Sequence, residues 1–258
     1  DGRFAAAFWA RRGRFVVRLD DGTERTGGEI PVYHVSARRL SRVEVRDVSD
    51  PAAEAVARTA TVAAKLDDAR AVVASPSEAF RSPKWNRLPV LVPGAFRVTK
   101  VADRTRGDCI DVRLNAAETN APCAFLTEYT TLTFRKPVAL PGAAKGVGLW
   151  VKGDGNGGQV RFEIEDAKGR VFRTFDYGNT AYESLDVEGR LCVDFAGWRY
   201  VALGIDGTNW YTMSGDKSAP VPPYKVRAVT VGVNRARYGL TGFKPVAGAV
   251  RLQDLGGW

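Results

Sequence analysis

The chain has 258 residues, 27 of them glycine, with 10% aromatic side chains and a formal net charge of +9. That length buries a core without covalent staples, and glycine with aromatics in these amounts suits an all-β domain with many turns. No apolar run is long enough to cross a bilayer as a helix, and three cysteines without metal spacing beside a single histidine exclude the usual zinc sites.

The charge is uneven. After residue 86, 23 Lys and Arg stand against 17 Asp and Glu, so +6 of the +9 falls there. Such an excess suits an anionic polysaccharide or, less well, a nucleic-acid backbone; solvated arginines on ordinary strand faces are the favoured account of it. Cys109 and Cys123 could bridge in an exported protein, whereas Cys192, between Leu191 and Val193, reads as a small buried hydrophobe. The start at Asp1 reads as the edge of a piece cut from a longer protein.

Residues 1–48 read as a small β region, the possible tail of an upstream domain. Arg14–Leu19 alternates, Asp21-Gly22 signals a hairpin, and Val43 and Val45 mark a further strand. His34, beside Tyr33 and Val35, reads as structural rather than as an acid–base catalyst. Residues 49–93 read as a helix and a proline-spaced linker. Asp50 can cap and Pro51 can open a helix, and Val56, Ala60, Ala63, Leu66, Ala69 and Val73 continue an apolar stripe, although Thr61 and the valines also tolerate a strand. Trp85 falls within the linker.

Residues 94–258 carry nine short strand-like segments: 96–101, 109–114, 127–134, 146–152, 160–165, 171–175, 198–203, 226–233 and 249–255. Val160, Phe162 and Ile164 alternate with Arg161, Glu163 and Glu165, the pattern of a half-buried strand. The Gly153–Gly158 stretch reads as a hairpin turn. It is no phosphate loop, because a strand follows it, and no calcium loop, because Gln159 stands where glycine is needed. The Asp166–Gly169 stretch reads as a second turn. The fold class is therefore mainly β, an antiparallel β-sandwich of jelly-roll type, preceded by the small β region and one helix.

Trp150-Val151-Lys152-Gly153-Asp154-Gly155, then Val160-Arg161-Phe162-Glu163-Ile164-Glu165-Asp166, then Asp194-Phe195-Ala196-Gly197-Trp198-Arg199-Tyr200-Val201 resembles carbohydrate-binding modules with a galactose-binding-like jelly roll. The resemblance covers roughly Phe96 to Trp258. It implies a non-catalytic module of a larger secreted glycan-degrading protein, placed outside the cell, in the periplasm or at the cell surface. It implies no cofactor beyond a structural calcium ion, for which Asp254 is the candidate ligand.

The residues themselves point to stacking rather than to reaction. Glu163 and Glu165 share a strand face, but Asp166-Ala167-Lys168 replaces the second acid that a jelly-roll glycosidase needs. Tyr238, beside Arg235 and Arg237, is a poor lyase base without a histidine nearby. Sugar recognition asks for aromatic faces and planar polar groups. Tyr177, Asn179 and Tyr182 in one loop, and Asn209, Trp210 and Tyr211 in another, have that composition; Arg235 and Arg237 could hold a carboxylate or sulfate. The expected partner is a poly- or oligosaccharide, neutral or acidic, with covalently linked neighbouring domains and no membrane. The alternative is a scaffold sandwich of a glycoside hydrolase or polysaccharide lyase without a ligand of its own.

Overall fold

A computed structural model describes residues 4–8, 14–27, 32–36, 43–76, 91–93, 96–114, 127–154, 158–174, 191–193, 195–206, 210–212, 218–234 and 249–258. The chain divides into two compact units, 1–58 and 59–258.

The first unit holds strands β1 (Phe4–Phe8), β2 (Arg14–Leu19), β3 (Glu24–Gly27), β4 (Val32–Ser36) and β5 (Val43–Ser49), followed by helix α1 (Pro51–Thr59). β1 pairs with β4, and β2 lies between β3 and β5. The β2–β3 hairpin turns at Gly22, whose φ of +82° is a conformation that side chains resist. Phe15, Val17 and Leu19 bury the alternating face of β2. Asp50 caps α1 as expected, its Oδ1 accepting from the Ala53 N–H at 3.2 Å. His34 is buried with Nε2 3.9 Å from an Asp21 carboxylate oxygen and without a hydrogen bond there, a packed histidine.

The second unit is an antiparallel β-sandwich. Its strands are β6 (Thr61–Ala64), β7 (Val72–Pro76), β8 (Leu91–Pro93), β9 (Phe96–Asp103), β10 (Gly107–Leu114), β11 (Thr127–Ala139), β12 (Gly146–Asp154), β13 (Gly158–Glu165), β14 (Val171–Arg173), β15 (Cys192–Val193), β16 (Ala196–Gly204), β17 (Tyr211–Thr212), β18 (Lys225–Asn234) and β19 (Ala249–Gly257). One sheet runs β16-β12-β19-β10-β9 with β6 on β19; the other runs β17-β14-β13-β18-β11-β7 with β15 on β13 and β8 on β11. Only the β8–β11 pairing among the described strands is parallel. Strands β10 to β13 alternate between the sheets, as do β18 and β19, which is the winding of a jelly roll. Val147, Leu149, Val151 and Leu252 of one sheet, with Val160, Phe162, Ile164 and Val231 of the other, form its fully buried core.

Two sequence expectations are corrected. The stripe from Val56 to Val73 is not one helix: α1 stops at Thr59, and residues 61–64 and 72–76, read as the rest of the helix and the start of the linker, are sandwich strands. Small alanines spaced at helical intervals bury little on a helix, whereas Thr61, Val62, Val72 and Val73 gain a full ladder against β19 and β11. Gly153–Gly158 does not close a hairpin, because β12 and β13 belong to different sheets. Gly153 instead allows close packing, since a Cβ there would fall 2.3 Å from the Phe195 carbonyl oxygen. Cys109 is a free, fully buried thiol on β10, and burial raises its pKa. Trp85 and Cys123 lie outside the described residues.

A Cβ at Gly256 would sit 2.4 Å from the Thr61 carbonyl oxygen, at the join of β6 and β19. Gly256→Ala should therefore lower unfolding stability by about 1–3 kcal/mol, read as a shifted midpoint in urea with an unchanged slope.

Candidate functional site

Because Val160, Phe162 and Ile164 point inward, Gln159, Arg161, Glu163 and Glu165 of β13 point out of the sandwich. Register extends this outer face across the sheet. Gln159 lies opposite Gly232, which lies opposite Tyr129; Arg161 lies opposite Thr230, which lies opposite Thr131; Glu163 lies opposite Arg173, which lies opposite Tyr211. The face is polar and aromatic, and its two ends differ in depth.

At the deep end Arg161 is only 1% exposed. Its Nη2 donates to Gln159 Oε1 at 3.0 Å and its Nη1 to the Thr174 carbonyl at 3.1 Å. The Tyr129 ring lies over Gly232, where a Cβ would meet it at 2.5 Å, with its hydroxyl 3.5 Å from Gln159 Oε1. The Thr131 and Thr230 hydroxyls bond each other at 3.0 Å. At the open end Glu163 accepts from Arg173 Nε, and Tyr211 is 42% exposed. Arg227 reaches both Glu163 and Glu165, at 3.6 and 3.5 Å, and Lys225 lies 3.5 Å from Glu165. The two carboxylates thus pair with Arg173, Arg227 and Lys225.

Of the residues expected from sequence to hold sugar, the structure places Tyr211 on this face and removes Trp210. Trp210 is 5% exposed and its indole N–H donates to the Gly204 carbonyl at 2.8 Å, so its ring is packing and not a stacking platform. The amphipathic indole is satisfied inside, which a loop-like sequence context does not reveal. Asn209, Tyr177, Asn179, Tyr182, Arg235 and Arg237 lie outside the described residues. Gln159, Arg161, Arg173, Tyr129 and Arg227 were not anticipated; their shared face follows only from register.

Asp254 is the extra residue of a bulge in β19: between the Gly148–Gly256 and Trp150–Gln253 pairs, two residues oppose Leu149. Its φ is +47°, and Arg106 Nη2 contacts its carboxylate at 3.3 Å. A guanidinium already neutralises this carboxylate, and no group of three metal-ligating side chains occurs among the described residues. These side chains by themselves make no calcium site.

The outer face of the six-stranded sheet is closed on itself. Asp103 Oδ2 accepts from Lys152 Nζ and Arg251 Nη1, both at 2.7 Å, while Oδ1 accepts from Trp198 Nε1 at 3.0 Å and the Thr105 N–H at 2.9 Å. The Arg106 guanidinium covers the Trp150 ring 3.9 Å from its centroid and donates to Gln253 Oε1 at 2.7 Å.

No protein-family model matches the chain, and no curated protein does. Solved structures do. Carbohydrate-binding modules are among them. The family 11 module of the Clostridium thermocellum cellulase Lic26A-Cel5E has 9% identity and a TM-score of 0.41, over 77% of this chain and 95% of that one. The family 11 module from the same organism, in complex with a mixed-linked β-1,3-1,4 tetrasaccharide, has 12% identity and a TM-score of 0.37, over 74% and 92%. The module TmCBM61, in complex with β-1,4-galactotriose, has 12% identity and a TM-score of 0.35, over 73% and 88%. At these values no ligand and no residue role transfers from the modules to this chain.

Burial alone pushes the Asp103 carboxyl up, but hydrogen bonds from Lys152, Trp198, the Thr105 N–H and Arg251 together hold it well below the usual carboxylate range. Its contribution to stability is complete above the unfolded value, near pH 4, and fades as pH falls towards the lower folded value. Asp103→Asn should cost about 3–5 kcal/mol near pH 7, because Lys152 and Arg251 lose their shared partner. Denaturant titrations across pH should show the gap to wild type narrowing below about pH 4.

Proposed function

We propose that this chain is a non-catalytic module that binds poly- or oligosaccharide across the outer face of the eight-stranded sheet. The observation that carries this reading is the chemistry of that face. Planar hydrogen-bonding groups stand in register beside an exposed aromatic ring, where a solvated sheet face needs only scattered charges. A pyranose offers C–H faces to a ring such as Tyr211 and hydroxyls to groups such as Glu163 and Arg173. Arg161 is fixed by Gln159 and Thr174, so little side-chain freedom is left to lose at the deep end.

The module belongs, in this reading, to a larger secreted protein that degrades glycans, acting outside the cell, in the periplasm or at the cell surface. Glu163 and Glu165 are engaged by cations, which argues against their use as an acid–nucleophile pair. The burial of Trp210 favours the rival scaffold reading, since it removes one of the four loop aromatics expected to stack.

Affinity electrophoresis against a panel of neutral and acidic polysaccharides separates the two. At least one polymer should retard the wild type. Tyr211→Ala should weaken that retardation by about 5- to 100-fold, corresponding to about 1–3 kcal/mol for loss of an aromatic contact, with thermal stability preserved. Equal mobility of both proteins on every polymer would sink the reading.

A further inference from the structure

The open end of the same face has a charge pattern that goes beyond sugar stacking. Between Val226, opposite Ile164, and Ala228, opposite Glu163, β18 carries one extra residue, Arg227. A bulge of this kind turns the side chains of both residues at the kink towards one face. It sends Arg227 to the outer face beside Ala228, between the two carboxylates of β13.

Arg227 differs from the other arginines of the face. Arg161 is buried, and Arg173 is held by Glu163. The Arg227 side chain is 41% exposed and stands 3.5–3.6 Å from Glu163 and Glu165. These are charge contacts at distances where hydrogen bonds have weakened, and among the described residues Arg227 makes no hydrogen bond. Its planar fork of donors is therefore held in place by charge while its hydrogen-bonding capacity is unspent. Lys225 has the same character, 3.5 Å from Glu165 and more than half exposed. Among the described residues, three cations, Arg173, Arg227 and Lys225, stand around the two carboxylates of this end.

We propose that the open end of this face takes an anionic sugar residue, carrying a carboxylate or sulfate, and that Arg227 is the residue that selects it. A guanidinium matches both anions with two parallel hydrogen bonds, and Lys225 supplies a second charge without fixed geometry. The proposal rests on the glycan-binding reading and narrows it to acidic polysaccharides.

The test uses the whole chain and matched polymers: a polyuronate with its carboxyl-reduced form, and a sulfated polysaccharide with its desulfated form. Whichever anion is recognised, wild type should bind the charged member about tenfold or more tighter, and less tightly as salt rises. Arg227→Gln should lose most of that preference, Arg227→Lys should keep part of it, and Arg25→Gln, an exposed change in the first unit, should keep all of it. Equal binding to charged and neutral members overturns the proposal and leaves glycan binding standing. Retardation by none of the polymers overturns both. A charge preference that survives Arg227→Gln in a protein with an unchanged melting temperature overturns the assignment to Arg227.

Discussion

A single buried carboxylate closes one side of the sandwich. Asp103 gathers an ammonium from β12, a guanidinium from β19, an indole N–H from β16 and the backbone of its own turn, so three strands and a hairpin meet at one charge. A carboxylate this deep is tolerated only when it is paired and hydrogen-bonded from several sides. The arrangement commits these groups of the six-stranded sheet to one another, and Arg106 occupies the Trp150 ring. The eight-stranded sheet carries the exposed Tyr211 ring and the Arg227 guanidinium held by charge.

This division of labour follows from how the sheets are stabilised. Both turn continuous apolar faces inward, so their inner residues are interchangeable in kind: valine, leucine, isoleucine and phenylalanine. Function can differ only on the outer faces. There the choice is between polar groups that satisfy one another and polar groups held by charge at a distance. Asp103 with its donors is the first case, and Arg227 between Glu163 and Glu165 is the second.

Much of the architecture was legible in the sequence, because alternation reports a half-buried strand wherever it occurs. Arg14–Leu19 and Val160–Glu165 show it cleanly, and Asp21-Gly22 and Asp166–Gly169 mark true hairpins. Gly153–Gly158 misleads for a physical reason: a glycine-rich connection has the same local chemistry whether its strands pair or part into different sheets. The strands at 61–64 and 72–76 were hidden by alanines at helical spacing. The site was less legible. Tyr211 was visible as an aromatic outside the regular pattern, but so was Trp210, and only the carbonyl of Gly204 distinguishes them. Arg161, Gln159 and Tyr129 become a group through the register of three strands, and register is set by contacts distant in sequence. Nothing local marks Arg227 as a bulge residue.

The bulge at Asp254 has a consequence for parity. Val250 and Leu252 face the core at even positions, but beyond the left-handed residue it is Leu255, at an odd one, that is buried. The strand therefore changes parity at a single residue whose only local signature is an aspartate, one of the few side chains that tolerate such a backbone. Substituting that residue leaves the phase of the strand intact. Deleting it joins two segments of opposite phase, and either Leu255 turns outward or the pairing with β6 slips by one. For this strand, counting residues matters more than matching them.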